Sequence, residues 1–231
     1  MQPELQSANV PYQSGSITAG QNRVLRNTYL LLAVSMVPTV IGAALGTNLD
    51  LSFMRTSPIL SLFAILGIFF GWMHVIEKNR NSIMGVWLLL GFTMFLGALL
   101  GPLLQRVLGL PNGVSLVMMA AGGTAVIFAL MAGIATTTKR DLSTGLGGFL
   151  AVGSIVLILA VIANAFVQSP VMYMVLLAGF VLISTLMMLW QINTIVRGGE
   201  TNYVSATLTL YISIYNLFSS LLQLLGIGGS D

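Results

Sequence analysis

The sequence contains no cysteine and a single histidine, His74. Without cysteine the chain can form no disulfide, no thiolate nucleophile and no cysteine-ligated metal site. One histidine cannot supply a metal centre that needs several imidazole ligands from this chain. These two shortages exclude the cysteine-dependent and histidine-rich classes of site, and the sequence predicts neither a cofactor nor a bound metal.

Carboxylates are also scarce, with six Asp and Glu in 231 residues. An intramembrane hydrolase needs a nucleophile with a positioned base, a carboxylate pair or a metal. Ion-coupled carriers usually keep ionisable residues inside the membrane. We therefore expect neither an enzyme nor an energised pump, since every acid falls in a tail, a loop or the end of an apolar run: Glu4, Asp50, Glu77, Asp141, Glu200 and Asp231.

Apolar residues dominate what remains, at 56% of the chain against 6% charged. The few basic residues are scattered and lack an aromatic-lined basic patch, so nucleic acid is not an expected partner. A bilayer-spanning helix needs roughly 20 apolar residues, and seven runs approach or exceed that length. The sequence predicts an all-α integral membrane protein with spans at 28–46, 58–76, 82–104, 113–136, 144–167, 170–194 and 203–226.

The distribution of Lys and Arg predicts the topology, because cytoplasmic loops carry an excess of them. With seven crossings, Arg55 and Arg106 fall on one side. The other side collects Arg23, Arg26, Lys78, Arg80, Lys139, Arg140 and Arg197. We expect a flexible cytoplasmic tail at 1–22, a transmembrane domain at 23–231 and a periplasmic C-terminus.

The last apolar run carries more hydroxyls and amides than any other. Steps of three and four residues align them on one helical face, and unpaired polar groups are costly in hydrocarbon. We expect this helix to be central, with its polar face either joining helices or lining a path for ions, protons or water. That face, called the polar seam below, comprises Asn202, Ser205, Thr209, Ser213, Asn216, Ser220 and Gln223.

Small residues at GxxxG spacing indicate where helices approach closely. The spacing occurs three times, at Gly42/Gly46, Gly67/Gly71 and Gly97/Gly101. Each pair is interpreted as a candidate helix crossing.

Two loop motifs have a physical interpretation. Lys139 and Arg140 favour a cytoplasmic turn, after which Asp141 or Ser143 can cap the next helix. In GGETNY, the two glycines predict the end of the sixth span because glycine tolerates left-handed C-cap geometry. The following Glu-Thr-Asn predicts the start of the seventh.

Several segments together resemble the Bax inhibitor-1 family, and most of all its bacterial branch. They are AAGGTAVIFALMAGIATTTKRDLSTGLGGFL, IANAF and GGETNYVSATLTLYISIYNLFSSLLQLLG, in that order. The resemblance implies seven helices with the last enclosed by the other six, in a bacterial inner membrane. It also implies a non-enzymatic regulator of the FtsH membrane protease, with a passive calcium or proton leak as the alternative.

Some members of that family carry an acidic pair with a nearby cation, interpreted as a pH-sensitive latch on a calcium leak. The resemblance places the pair at Gln191 and Ser213 and the cation at His74. An amide and a hydroxyl cannot share a proton or hold a divalent ion as two carboxylates do. We therefore expect no carboxylate latch here, and at most a hydrogen-bonded contact between Gln191 and Ser213. His74 is the only group there able to titrate near neutrality, and the alternative is that it sits at the interface as a satisfied span-end residue.

Overall fold

The computed structural model describes residues 19–49 and 56–229, which form seven α-helices and no strand. All seven are long and apolar enough to cross a membrane, so the predicted all-α seven-span fold is confirmed. The helices are α1 (Ala19–Gly46), α2 (Pro58–Lys78), α3 (Ile83–Leu108), α4 (Gly113–Thr137), α5 (Ser143–Val167), α6 (Pro170–Val196) and α7 (Tyr203–Gly228).

The helix bounds agree with the predicted runs to about one turn, except at the start of α1. That helix begins at Ala19, so residues 19–22 of the predicted tail are helical, and Arg23 and Arg26 lie within α1. The rest of the predicted tail lies outside the described residues. Hydropathy marks the part of a helix that lies in lipid, whereas the backbone continues its hydrogen bonding beyond it.

Interlocked glycines join α1 to α3. A Cβ atom added at Gly42 would overlap the backbone of Met94, and one at Gly97 would overlap the carbonyl of Thr39. A Cβ at Gly101 would likewise overlap the backbone of Gly46, and one at Gly46 would overlap the backbone of Ala98. Two of the three predicted GxxxG crossings are therefore one reciprocal contact.

The third predicted crossing is wrong. Nothing lies within 4 Å of a Cβ built at Gly67 or at Gly71, so these residues of α2 face open space. The spacing alone does not say whether a partner helix is present on that side.

The C-terminal helix α7 is the centre of the bundle. It packs directly against α1, α2, α3, α4 and α6, and no residue from Tyr203 to Ile227 is classed as exposed. The predicted central position is confirmed, although α5 stands apart from α7 and packs mainly on α6. Five helices thus contact α7 directly, and the sixth, α5, faces it across a gap.

Tyr211 of α7 forms hydrogen bonds to both α1 and α3. The Tyr211 side chain is 1% exposed, and its hydroxyl lies 2.7 Å from Oγ1 of Thr39 on α1. The same hydroxyl donates to the Thr93 carbonyl oxygen of α3 at 3.2 Å. Since an unpaired hydroxyl is costly in an apolar interior, this pairing fixes α7 against both helices at once.

Candidate functional site

The polar seam of α7 faces protein and cavities. Ser205, Ser213 and Ser220 are each no more than 5% exposed, and the other four seam residues are partly buried. The interpretation of the seam as an inward-facing surface therefore holds along its whole length.

Three neighbouring cavities follow the seam. One of about 380 Å³, between α7 and the helices α2, α5 and α6, is lined by Thr209, Ser213 and Asn216. A second of about 380 Å³ shares Asn216 with it and adds Ser220 and Gln223. The seam therefore borders open space that separates α5 from α7.

The third cavity continues toward the bundle end where the chain finishes. It has about 300 Å³, shares Gln223 and Tyr173 with the second, and is also lined by Arg106. Among the described residues no Asp or Glu lines any of these three cavities, and no cluster of three acidic or histidine side chains would hold a metal. Apart from the Arg106 guanidinium, the polar side chains that line the three cavities are neutral hydrogen-bonding groups.

Ser213 and Gln223 of the seam donate to backbone within α7. Ser213 Oγ donates to the Thr209 carbonyl oxygen at 2.8 Å, and Gln223 Nε2 donates to the Ser219 carbonyl oxygen at 3.0 Å. Gln223 Oε1 accepts from the Tyr173 hydroxyl on α6. The seam thus bonds to α6 through Gln223 and lines cavities from Thr209 to Gln223, and its role as a path for ions, protons or water stays a prediction.

The three family positions do not form one hydrogen-bonded site. Gln191 and Ser213 are each 3% exposed, but the Ser213 hydroxyl is used within its own helix. Among the described residues, the Gln191 amide makes no hydrogen bond. The expected contact between them is absent because a short serine side chain readily bonds to the carbonyl four residues before it.

His74 is exposed, unlike Gln191 and Ser213. By contrast Ile76, two positions further along α2, is fully buried. Positions two apart on a helix point about 200° away from each other, so His74 is on the outward side. The structure does not support His74 as the titrating member of a buried site.

The best-connected buried amide is Asn193, which the sequence analysis missed. It is 0% exposed, and its Nδ2 donates to the carbonyl oxygens of Ala135 and Arg140 at 3.4 and 3.3 Å. Its Oδ1 accepts from the Leu142 backbone N–H at 3.0 Å. The sequence did contain a signal for this site, namely an amide inside the apolar run LWQINTI. Burying an amide without a hydrogen-bond partner costs free energy, so its presence there indicates a partner.

Asn193 belongs to a set of hydrogen bonds from α6 side chains to the backbone of the 138–142 loop and of the start of α5. The Arg197 guanidinium donates to the Thr138 carbonyl oxygen, and Trp190 Nε1 donates to the Ser143 carbonyl oxygen at 3.4 Å. The side chains of Lys139 and Arg140 remain exposed. The exposed cations Lys139 and Arg140 therefore stand on a loop whose backbone is hydrogen-bonded to side chains of α6.

Asp141 lies just before the start of α5. Its carboxylate accepts from the Ser143 backbone N–H at 2.8 Å and so gives the first amide of the helix an acceptor, although the N-cap position itself is Leu142. Hydrogen bonds from the side chain and backbone of Ser143, with a smaller contribution from Arg197, lower the pKa of the Asp141 carboxyl. Asp141 is thus stabilised as an anion beside the two exposed cations.

The GGETNY motif ends α6 and begins α7 as predicted. Gly198 has φ of +80°, and the N–H groups of Gly198 and Gly199 donate to Ile195 and Thr194 carbonyl oxygens at 3.0 and 2.9 Å. This is the glycine C-cap pattern. Asn202 then caps α7, since its Oδ1 accepts from the backbone N–H groups of residues 204 and 205.

The seam is tied to α2 at the same end of the bundle. Ser205 Oγ donates to Glu77 Oε2 at 2.9 Å, and Glu77 also pairs with Arg80 at 3.3 Å. Asn202 Nδ2 donates to the Arg80 carbonyl oxygen and to Asn81 Oδ1 at 3.1 and 2.7 Å. These contacts join the end of α2 and its following loop to the start of α7. We call this end of the bundle, which carries Lys78, Arg80 and Arg197, the basic end.

Comparisons with known proteins agree with this architecture. An uncharacterized protein of Neisseria meningitidis serogroup B is 44% identical over 95% of this chain and 98% of its own length. A protein of Escherichia coli K12 named modulator of FtsH protease YccA is 40% identical over 91% of this chain and 92% of its own. The same identity and coverage hold for a protein of Escherichia coli O6:H1 named inner membrane protein YccA.

A family model described as inhibitor of apoptosis-promoting Bax1 matches residues 21–230. That range takes in all of α2 to α7 and nearly all of α1. With the relatives and the seven-span fold, this match shows that the chain is a multi-pass membrane protein of the Bax inhibitor-1 family, in the branch that includes YccA.

Proposed function

We propose that this protein is a non-enzymatic regulator of an FtsH-type membrane protease, located in the bacterial inner membrane. The observation that carries the proposal is the 40% identity, across 91% of the chain, to a protein named modulator of FtsH protease. The similarity extends through the transmembrane bundle, so the proposed role concerns the whole fold and not one shared segment.

The packing of α1 is consistent with this role. Residues 1–18 precede α1, and 1–22 is a Gln-, Ser- and Gly-containing segment with one charge, Glu4. A protease that grips such a segment would pull first on α1, whose Gly42 and Gly46 are locked into α3. A chain that offers a handle but resists extraction would occupy the enzyme without being degraded quickly.

The same proposal fixes an orientation. Seven of the nine Lys and Arg fall on the predicted cytoplasmic side, and several of them lie at the basic end. We place this end and the N-terminus in the cytoplasm, where an ATP-driven protease domain acts, and the C-terminus in the periplasm.

A passive ion leak along α7 is the alternative function. The cavities beside Ser213 and Asn216 provide room for water, and polar partners that water requires are present. However, no carboxylate of the described residues lines these cavities, and the pair position holds Gln191 and Ser213, which bind calcium poorly. The regulator is therefore the preferred proposal.

Deletion of residues 1–18 tests the regulator. In cells that contain FtsH, overproduction of the full-length protein should lengthen the half-life of a membrane substrate of FtsH, measured by pulse-chase. The deleted form should return the half-life to that of cells without the protein, because the handle is gone while all of α1 remains.

A variant with the first 18 residues in scrambled order is the matched control. It keeps length and composition, so it should still lengthen the half-life if the protease grips the segment without reading its order of residues. A half-life that full-length protein leaves unchanged, with the protein inserted in the membrane, would contradict the proposed function. An active deletion variant would contradict the role of the segment.

A further inference from the structure

The three cavities along the polar seam form one continuous gap. The cavity at the middle of α7 shares Asn216 with the second, and the second shares Tyr173 and Gln223 with the third, at the bundle end opposite to the basic end. Along α7 the distance from Thr209 to Gln223 is about 21 Å at 1.5 Å per residue. One bilayer leaflet with its headgroups is roughly 20–22 Å thick, so the gap is about as long as one lipid molecule.

The gap opens sideways toward the bilayer between α2 and α5. In the part of the chain that the structure describes, α5 makes no backbone contact with α7 and touches α2 at few positions. Phe70 of α2 lines the middle cavity and is 46% exposed, and Pro58 lines the second cavity and is exposed. Because residues that both line a cavity and are exposed mark its mouth, a lipid chain can enter here from the side.

The chemical character of the walls changes along the gap. The middle cavity is mainly apolar and includes the rings of Phe69, Phe70 and Phe180. The third cavity contains the one cation among the described lining residues, Arg106. Between them, the second cavity is the most polar, with amides and hydroxyls from Asn164, Tyr173, Asn216, Ser219, Ser220 and Gln223. A phospholipid has the same order from the bilayer centre outward, namely acyl chain, ester carbonyls and phosphate.

Two polar groups of the second cavity are free to bind a ligand. Among the described residues, the Asn216 amide and the Ser220 hydroxyl make no hydrogen bond. Neither group is sealed off, since the buried side-chain atom that lacks a partner in this part of the chain is Thr28 Oγ1 alone. Ser220 is only 3% exposed and lines the second cavity, so its hydroxyl is accessible from the gap. Amide N–H groups and hydroxyls donate to carbonyl oxygens.

Arg106 has no acidic partner in the described part of the chain. Its side chain is exposed, and its Nε donates to the Pro102 carbonyl oxygen at 3.3 Å. The described acids Glu77, Asp141 and Glu200 all lie at the basic end. A guanidinium matches the geometry of a phosphate and forms charge-assisted hydrogen bonds to it, so this end of the gap suits a phosphate group.

We propose that the gap binds a glycerophospholipid from the leaflet opposite to the basic end. One acyl chain occupies the middle cavity and the other stays in the bilayer, the ester carbonyls accept from Asn216 and Ser220, and the phosphate lies on Arg106. A neutral glyceride would leave the guanidinium without an anion. The bound lipid would fill the space that an ion leak along α7 requires, and the inference is independent of the proposed protease regulation.

Binding of phosphatidylglycerol and of a diacylglycerol with the same acyl chains tests the proposal. Dissociation constants are measured by native mass spectrometry on the full-length, delipidated protein in detergent. Phosphatidylglycerol should bind at least about threefold more tightly, the expected effect of one exposed charge pair, and Arg106→Gln should remove this preference. Ser154 of α5 lines the middle cavity, so Ser154→Phe should obstruct the acyl chain and weaken binding of both lipids at least about tenfold.

Ala163→Phe and Arg140→Gln are the matched controls. Ala163 is exposed and lies nine positions from Ser154, on the opposite side of α5, and Arg140 is exposed at the basic end. Neither control should change the dissociation constants, and melting temperatures report whether each variant folds.

Three results would overturn the proposal: absence of phosphatidylglycerol binding, equal affinity of the parent protein for the two lipids, or binding that Ser154→Phe leaves unaffected in a folded protein. Loss of the phosphatidylglycerol preference in Arg140→Gln, with the preference intact in Arg106→Gln, would place the phosphate at the basic end and would overturn it as well.

Discussion

Substitution of Gly97 by alanine should destabilise the protein, whereas the same substitution at Gly71 should be neutral or slightly stabilising. At Gly97 the added methyl overlaps the Thr39 carbonyl of α1, and backbone on both sides leaves no side chain that can move away. Overpacking of this kind costs about 1–3 kcal/mol. At Gly71 nothing lies within 4 Å of the added atom, so only the better helix propensity of alanine remains, worth up to about 1 kcal/mol.

Unfolding of the detergent-solubilised protein in a denaturant series gives both free energies. Separation of α1 from α3 would also weaken the bond between Thr39 and Tyr211, which adds to the loss at Gly97. Equal effects of the two alanine substitutions would show that the α1–α3 crossing is not as tight as described.

Asn193→Leu should lower the free energy of unfolding by about 2 kcal/mol, while Gln191→Leu should change it by less than about 0.5 kcal/mol. Both amides are almost fully buried, and both replacements are apolar. Of these two amides, only that of Asn193 bonds to the backbone at 135–142. Its loss therefore leaves the Leu142 N–H and the carbonyl oxygens of Ala135 and Arg140 without that partner.

Trypsin provides a local measurement of the same difference, because the loop carries exposed Lys139 and Arg140. Cleavage there should become faster in Asn193→Leu as the loop detaches from α6, and should stay at the native rate in Gln191→Leu. Faster cleavage in Gln191→Leu, or similar stability losses in both variants, would contradict the claim that hydrogen bonds of Asn193 anchor the 138–142 loop to α6.

The spans and the central helix could be predicted from the sequence because lipid imposes a local rule. Each crossing needs a continuous apolar run, and a polar face such as that of Ser205, Ser213 and Ser220 must turn away from lipid. The caps at Gly198 and Asn202 were predictable because a helix cap depends only on residues that are neighbours in the sequence.

Features that depend on which helices meet could not be predicted. Gly67/Gly71 and Gly97/Gly101 share one spacing, yet only the second pair has a helix against it. Gln191 and Asn193 are two positions apart in one apolar run, and the difference between them is set by the 138–142 loop, which comes from a distant part of the chain. For a related reason the family resemblance could not show that the Ser213 hydroxyl bonds within its own helix. Nor could it show that the inward face of α2 carries Ile76 while His74 is exposed.

The central claim is that α7 keeps its uncharged polar seam away from lipid, and the absence of cysteine in the chain allows a direct test. Single-cysteine variants Ser213→Cys and Val152→Cys are spin-labelled, and collision with dissolved oxygen, which concentrates in lipid, is measured by electron paramagnetic resonance. Val152 lies on α5 about as far from the basic end and is 63% exposed. Oxygen accessibility should be several-fold lower at position 213 than at 152, and equal accessibility would contradict the account.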